Sequence, residues 1–153
     1  MYRFPVAAAV LATAALLAPA ALADQPTRQP LPFSSFTIRG SCTFDVLLEP
    51  VANKEVLTTF TNGMQIISGR LVVRLTNVSN PSKSVLVQVS GPGIEDLSNP
   101  SVFNLSGTSL VFFPGTLLLT RGPVSLTFDE AGNLTFAQTS ASSVDLCAVL
   151  ADP

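Results

Sequence analysis

Short runs of alternating apolar and polar residues, separated by turn residues, recur along this chain from residue 36 onwards. In the segment 70–93 two such runs flank a loop of Asn, Ser, Pro and Lys. A period of two is typical of a strand with one buried face, and two such runs around a turn-forming loop predict an antiparallel hairpin. No stretch has the 3.6-residue periodicity of an amphipathic helix. The sequence therefore predicts an all-β protein.

We expect about nine or ten short strands, which is the pattern of an antiparallel β-sandwich or a closed β-barrel. Periodicity does not separate these two architectures, so both stay open. Because Phe112 and Phe113 are adjacent in one predicted strand, one of them faces outward and offers a second contact surface. The residues that we expect in the core are Phe44, Phe60, Val73, Val87, Phe103, Phe112, Phe128 and Phe136.

Residues 1–23 have the composition of a secretory signal peptide. Arg3 precedes an uncharged run rich in Ala, Leu and Val, and the small residues Ala21 and Ala23 frame a cleavage site. The alternative is a membrane anchor, since the apolar run approaches spanning length, but Pro19 interrupts it. We expect cleavage after Ala23 and a secreted, extracellular chain that does not span a membrane.

The remaining chain divides into a tail and one domain. Residues 24–35 contain three prolines and predict a flexible, extended N-terminal tail. Residues 36–153 then form a single all-β domain, a length that suits one hydrophobic core.

Two cysteines, Cys42 and Cys147, lie near the beginning and the end of the predicted domain. In an oxidising compartment the simplest state for two cysteines is a disulfide. Bridging them closes a loop of about 106 residues, worth roughly 4–5 kcal/mol in the chain-entropy model. Two free thiols are the alternative, but neither cysteine has a histidine in the chain to activate it.

The charge balance disfavours a nucleic-acid partner. Loss of Arg3 with the leader leaves seven basic and ten acidic residues, a net charge of −3, and the basic residues are scattered. Arg70 and Arg74 are four residues apart in one predicted strand, so their side chains point the same way. They either bind an anion or keep an exposed face of the sheet hydrated, opposite Asp45 or Glu49. A protein or a component of the cell envelope is the expected partner.

The absence of histidine limits the chemistry that the chain can perform. Ser-His-Asp and Cys-His nucleophile pairs cannot be built, and the usual general base near neutral pH is missing. A carboxylate pair is the remaining route to hydrolysis, but the mature chain has no Trp or Tyr ring to stack on a sugar. The pairs considered are Glu95 with Asp96, Asp129 with Glu130, and Asp45 with Glu49.

No cofactor or metal is expected. Zinc, copper and non-haem iron sites depend on His or thiolate ligands, and both cysteines are assigned to the disulfide. Asp129, Glu130 and Asn133 offer oxygen ligands for calcium, but their spacing does not match the twelve-residue calcium loop. Asn77, Asn104 and Asn133 each begin a glycosylation acceptor pattern, and chance matches are expected in a sequence this rich in Asn, Ser and Thr.

Several segments taken together resemble a group of small, uncharacterised exported proteins of actinobacteria. These are the leader, the strand "CTFDVLLEP", the hairpin "GRLVVRLTN" to "KSVLVQVSGPG", the central "GTSLVFFPG" to "GNLT", and a terminal strand "DLCAVLA". The resemblance covers nearly all of residues 36–151 and implies an actinobacterial source and an extracellular location. It carries no catalytic residue over to this chain.

These observations favour a secreted, non-enzymatic β-domain with a structural or partner-binding role. A second hypothesis is a carrier of a small apolar ligand, with a barrel interior lined by Phe and Leu. A third is a carboxylate-dependent hydrolase.

Overall fold

The computed structural model describes residues 25–139 and 142–151, and for residues 136–139 only the backbone. The predicted signal peptide, residues 1–23, therefore lies outside the described residues, as does the side chain of Phe136.

Fourteen strands and one short helix make up the described part of the chain. In chain order they are β1 (Thr27–Pro30), β2 (Phe36–Ile38), β3 (Val46–Asn53), β4 (Val56–Thr59), β5 (Met64–Ser68), β6 (Leu71–Asn77), β7 (Ser84–Val89), β8 (Gly93–Asp96), β9 (Val102–Leu105), β10 (Thr108–Phe113), β11 (Thr116–Arg121), β12 (Val124–Phe128), β13 (Leu134–Thr139), β14 (Ser142–Asp145) and α1 (Leu146–Leu150).

The strands form three antiparallel sheets. Seven strands follow the order β1-β4-β5-β8-β9-β12-β13, four follow β2-β3-β6-β7, and three follow β10-β11-β14. The all-β prediction is confirmed, and within the described residues none of the sheets closes into a barrel. The strands outnumber the nine or ten expected, partly because the loop around Gly93 contains a strand, β8, that pairs with β5 and β9.

The predicted hairpin is β6–β7, and its register explains the first core. Val73 lies opposite Val87, and Leu71 lies opposite Val89, so every second side chain of both strands points to the same face. That face meets residues of the three-stranded sheet and of α1. The buried members of this first core are Ile38, Val46, Leu48, Leu71, Val73, Leu75, Val87, Leu117, Leu146 and Leu150.

The three-stranded sheet lies against a core on each face. On one face Leu110 and Leu119, which are register partners, contact the first core. On the other face Val111 packs with Val124 and Leu126 of the seven-stranded sheet to form the second core. Adjacent residues of β10 therefore belong to different cores.

The expected core residues have mixed outcomes. Val73 and Val87 are buried, as predicted. Phe44 packs half-buried against the first core, Phe103 and Phe128 pack half-buried against the second core, and Phe60 is half-buried outside both. The prediction for Phe112 is wrong. Its side chain is 42% exposed, because the alternation of β10 turns Val111 and Phe113, rather than Phe112, toward the second core.

Both ends of the described chain differ from expectation. Residues 27–30 are extended and exposed, but they pair with β4 along four residues instead of forming a free tail. The terminal run expected as one strand is the strand β14 followed by the helix α1. Asp145 caps this helix, since its carboxylate accepts hydrogen bonds from the backbone N–H groups of Cys147 at 2.8 Å and Ala148 at 3.3 Å.

Candidate functional site

The predicted disulfide between Cys42 and Cys147 is formed, with Cα atoms 5.5 Å apart. Cys42 lies in the loop between β2 and β3, and Cys147 lies in α1 rather than in a terminal strand. An exposed ion pair, Arg39 Nε to Asp45 Oδ2 at 3.6 Å, spans the same loop. The bridge therefore ties the last turn of the described chain to the edge of the four-stranded sheet.

Asn77 provides a second link to the same helix. Its side chain is 3% exposed, and its Nδ2 donates a hydrogen bond of 3.1 Å to the carbonyl oxygen of Leu150. Its Oδ1 accepts from the backbone N–H groups of Ser79 and Asn80 at the β6–β7 turn. The amide nitrogen that a glycan would modify is thus buried and engaged, so glycosylation of Asn77 does not fit this fold.

The carboxylates of Asp96 and Asp129 stabilise the turns in which they lie. The Asp96 carboxylate accepts from Ser98 Oγ at 2.7 Å and from Ser98 N–H at 2.9 Å, and these bonds lower the pKa of Asp96. The Asp129 carboxylate accepts from the side chain and the backbone of Asn133 and from the N–H of Ala131, which lowers the pKa of Asp129. Both carboxylates are fully exposed and stay ionised at neutral pH.

Asp129 and Glu130 line one open cleft of about 620 Å³, beside Phe128 and Pro100. Hydrolysis by a carboxylate pair needs one acid that keeps its proton near neutral pH, which requires a raised pKa. Asp129 has the opposite shift because its oxygens accept several hydrogen bonds. This cleft therefore lacks the environment of a general acid at Asp129.

The other predicted carboxylate pairs are placed apart from that cleft. Glu95 lies opposite Gln65 in the seven-stranded sheet, whereas Glu49 lies opposite Arg74 in the four-stranded sheet, as the sequence suggested. Arg70 precedes β6, and its carbonyl accepts a hydrogen bond from the N–H of Lys54.

For calcium, the turn at Asp129 offers little free coordination. Asn133 turns its amide nitrogen, not its oxygen, toward the Asp129 carboxylate, with Nδ2 to oxygen distances of 3.0 and 3.2 Å. Across the described residues, no group of three or more His, Cys, Asp or Glu side chains is arranged to hold a metal ion.

The most distinctive surface feature is a cluster of three phenylalanine rings, Phe33, Phe36 and Phe112. Phe36 lies between the other two, with ring centroids 6.0 Å from each. Phe36 is 39% exposed and Phe112 is 42% exposed, so two of these large rings face solvent. Such contiguous apolar surface is characteristic of interaction sites.

The rings of Phe36 and Phe112 border an open groove of about 510 Å³. Its lining comes from three segments: residues 36–39, the end of β10 with Pro114, and the β12–β13 turn near Asn133. Consecutive residues of a strand point alternately to its two faces, so the three residues of β2 can all border one groove only along the strand's edge. The groove therefore runs along the edge of β2.

The β2 strand is the terminal strand of its sheet and is hydrogen-bonded only to β3. Among the described backbone hydrogen bonds outside the ladders, none involves Phe36, Thr37 or Ile38. An edge strand of this kind presents N–H and C=O groups that another strand can pair with. The sequence indicated an outward ring at Phe112 or Phe113 but not this groove.

Comparison of the chain with protein-family models, with curated proteins and with solved structures finds no match. In the part of the chain that the structure describes, no helix has the length and apolar character needed to cross a bilayer.

Proposed function

We propose that this protein is a secreted, non-enzymatic β-domain that binds an extended segment of an extracellular protein partner in the groove along β2. The segment adds as a strand to the edge of β2, and its apolar side chains rest on Phe36 and Phe112. Within this proposal the four-stranded and three-stranded sheets act as a rigid β-sandwich held by the disulfide.

The groove along an open strand edge is the observation that carries this proposal. Strand addition takes its affinity from main-chain hydrogen bonds and its specificity from pockets for alternate side chains. The β2 edge supplies the former, and the rings of Phe36 and Phe112 supply an apolar contact beside it. The disulfide is consistent with an oxidising, extracellular location.

The carrier hypothesis depended on the interior of a closed barrel. None of the described sheets closes into such a barrel, and the buried apolar side chains pack together in two cores. The groove along β2 is the apolar site that we consider in its place. An open groove beside a strand edge suits an extended chain better than a small apolar molecule, which needs enclosure. We therefore favour the peptide as the occupant.

Selection from a displayed library of random twelve-residue peptides tests the proposal. We expect enrichment of peptides with alternating apolar residues, and slower amide hydrogen exchange at residues 36–38 when a selected peptide binds. Peptides that protect another part of the chain would contradict it. If apolar dyes bind in the groove and no peptide is selected, the hypothesis of a carrier for a small apolar ligand would be favoured instead.

A pair of exposed apolar variants controls for nonspecific stickiness. Phe112→Ser should weaken the binding of the selected peptides, because it removes one of the rings that border the groove. Leu86→Ser removes a side chain that is 56% exposed on β7, outside the groove, and should leave affinity unchanged. Equal effects of the two variants would exclude the groove as the site. Self-association of the protein that Phe112→Ser abolishes would identify a second copy as the occupant instead.

A further inference from the structure

Strand pairing gathers basic residues that are far apart in the sequence. Arg28 is on β1, Lys54 lies just before β4, and Arg70 lies between β5 and β6. The N–H of Lys54 donates a 2.8 Å hydrogen bond to the carbonyl of Arg70, so these two residues are adjacent in space. Lys54 thus adjoins both Arg70 and the β1–β4 edge of the seven-stranded sheet, on which Arg28 lies.

An open cleft of about 440 Å³ lies at this place. Arg28 and Lys54 line it, together with Thr58, Ser68 and the apolar pair Pro30 and Val56. In the register of the sheet, Arg28 is opposite Thr58, while Val56 is opposite both Pro30 and Ser68, so these side chains share one face. Thr58 is 6% exposed. The cleft therefore offers two cations, the hydroxyl group of the buried Thr58 and that of the exposed Ser68.

The backbone at Gly69 fixes Lys54 against this cleft. Gly69 has a φ of +132°, and a Cβ atom at this position would overlap the carbonyl oxygen of Lys54. Only glycine combines that backbone conformation with so close an approach. This close approach thus sets the position of the Lys54 backbone, from which its exposed side chain extends.

No described acid neutralises these cations. The cleft has no carboxylate in its lining, and the described ion pair involves Arg39 and Asp45 elsewhere. Glu55 is next to Lys54 in the chain, but its pKa is raised, with burial as the cause. A cation paired with that carboxylate would lower the pKa instead. Arg28 and Lys54 are therefore available to an external anion.

We infer that this cleft binds an anionic sugar, with its carboxylate or phosphate on Arg28 and Lys54 and its hydroxyl groups on Thr58 and Ser68. Charge-assisted hydrogen bonds to cations are the usual means of holding such groups. The cleft lining holds two cations, whereas a site for single-stranded nucleic acid follows the phosphate backbone with an extended basic groove, so a nucleic acid is a poorer fit. This site is separate from the groove along β2.

Chemical-shift titration of the purified protein tests the inference with four probes: trigalacturonate, glucose 6-phosphate, inorganic phosphate and a single-stranded DNA oligonucleotide. We expect the two anionic sugars, trigalacturonate and glucose 6-phosphate, to shift the amide signals of residues 28, 54, 58 and 70. Added salt should weaken this binding. Absence of such shifts would overturn the inference. So would equally tight binding of inorganic phosphate alone or of the DNA, because the sugar would then make no specific contact.

Charge-removal variants locate the site. Arg28→Gln and Lys54→Gln should each weaken binding about 2- to 5-fold, the upper part of the range of an exposed ion pair. Arg74→Gln and Lys83→Gln remove the same charges from the four-stranded sheet and its hairpin turn, outside the cleft lining, and should leave binding unchanged. An equal loss in all four variants would mean that net charge alone attracts the ligand, which would contradict a built site.

Discussion

The side-chain amide of Asn77 donates a hydrogen bond of 3.1 Å to the carbonyl oxygen of Leu150, across 73 residues of sequence. It joins the end of β6 to the last residue of α1. Both residues are buried, so neither group can turn to water if the bond is lost. The helix is thus held by this amide as well as by the disulfide.

We expect Asn77→Asp to destabilise the protein by about 2–3 kcal/mol, because a buried acceptor would face the Leu150 carbonyl in place of a donor. Urea unfolding would measure the loss. Asn104→Asp is the matched control: Asn104 is exposed, and the variant keeps the oxygen that accepts from Ser125 Oγ. Equal losses in both variants would show that the bond to Leu150 has no special role.

Removal of the disulfide should lower stability by about 2–5 kcal/mol. The change is Cys42→Ser combined with Cys147→Ser, and thermal unfolding measures it. Reduction of the wild-type protein provides the internal control, since it should shift the midpoint by a similar amount and leave the double variant unaffected. A reduced wild type that unfolds at the same temperature as the oxidised protein would contradict the prediction.

Gly91→Ala should cost about 3 kcal/mol or more, since a Cβ atom there would overlap the carbonyl oxygen of Ser106 and the backbone on both sides is tied. Gly115→Ala separates crowding from backbone conformation. Gly115 has a φ of +77°, and no atom lies within 4 Å of the place that an alanine methyl group would take, so that variant should cost only about 1–2 kcal/mol. A smaller loss at Gly91 than at Gly115, in denaturant unfolding, would exclude the close approach.

Glu55→Gln should stabilise the protein at neutral pH. Burial raises the pKa of Glu55 above its ordinary value of 4.5, so the folded state is penalised once the unfolded chain ionises. The gain should disappear as the pH falls below 4.5, where the carboxyl is protonated in both states. Urea unfolding across this pH range measures the difference.

Asp129→Asn should change stability at neutral pH in the direction opposite to Glu55→Gln. Hydrogen bonds lower the pKa of Asp129 below its ordinary value of 3.8, so its ionised form stabilises the fold above that pH, and this contribution is lost as the pH falls through the folded-state pKa. The variant should be less stable than wild type at neutral pH and equal to it in strong acid. A pH-independent difference in either variant would contradict the assignment.

Expression of the full chain in a secreting bacterial host should yield an exported protein that begins at Asp24. The sequence predicts cleavage after Ala23, because small residues stand at positions 21 and 23. Intact-mass measurement and N-terminal sequencing of the protein recovered from the medium would identify its first residue. Ala23→Arg should block processing, and an exported wild-type protein that retains Met1 would contradict the prediction.

Local alternation predicted much of the fold, because it depends only on neighbouring residues. The β6–β7 hairpin and the burial of Val73 and Val87 follow from it directly. It did not predict α1. Leu146 and Leu150 are four residues apart, and this spacing places them on one face of a helix or of a strand alike. The distinguishing signal was Asp145, whose side chain caps the helix.

The sites were less accessible to sequence reasoning, because each joins distant segments. The disulfide was predicted, since two cysteines allow one intramolecular pairing. The groove combines residues 36–39, 112–114 and 132–134, and these segments meet only when all three sheets are assembled. In the same way Arg28 and Lys54 looked scattered until β1 paired with β4. That pairing was missed because prolines before and within the segment suggested a free tail.

The placement of β10 between two cores has a consequence for how the molecule comes apart. Leu110 contacts one core and Val111 contacts the other. Unfolding of either core would therefore remove the packing contacts on one face of β10. Neither core can then be lost alone without weakening its neighbour. We therefore expect the three open sheets to unfold as a single cooperative unit, with β10 as the element common to both cores.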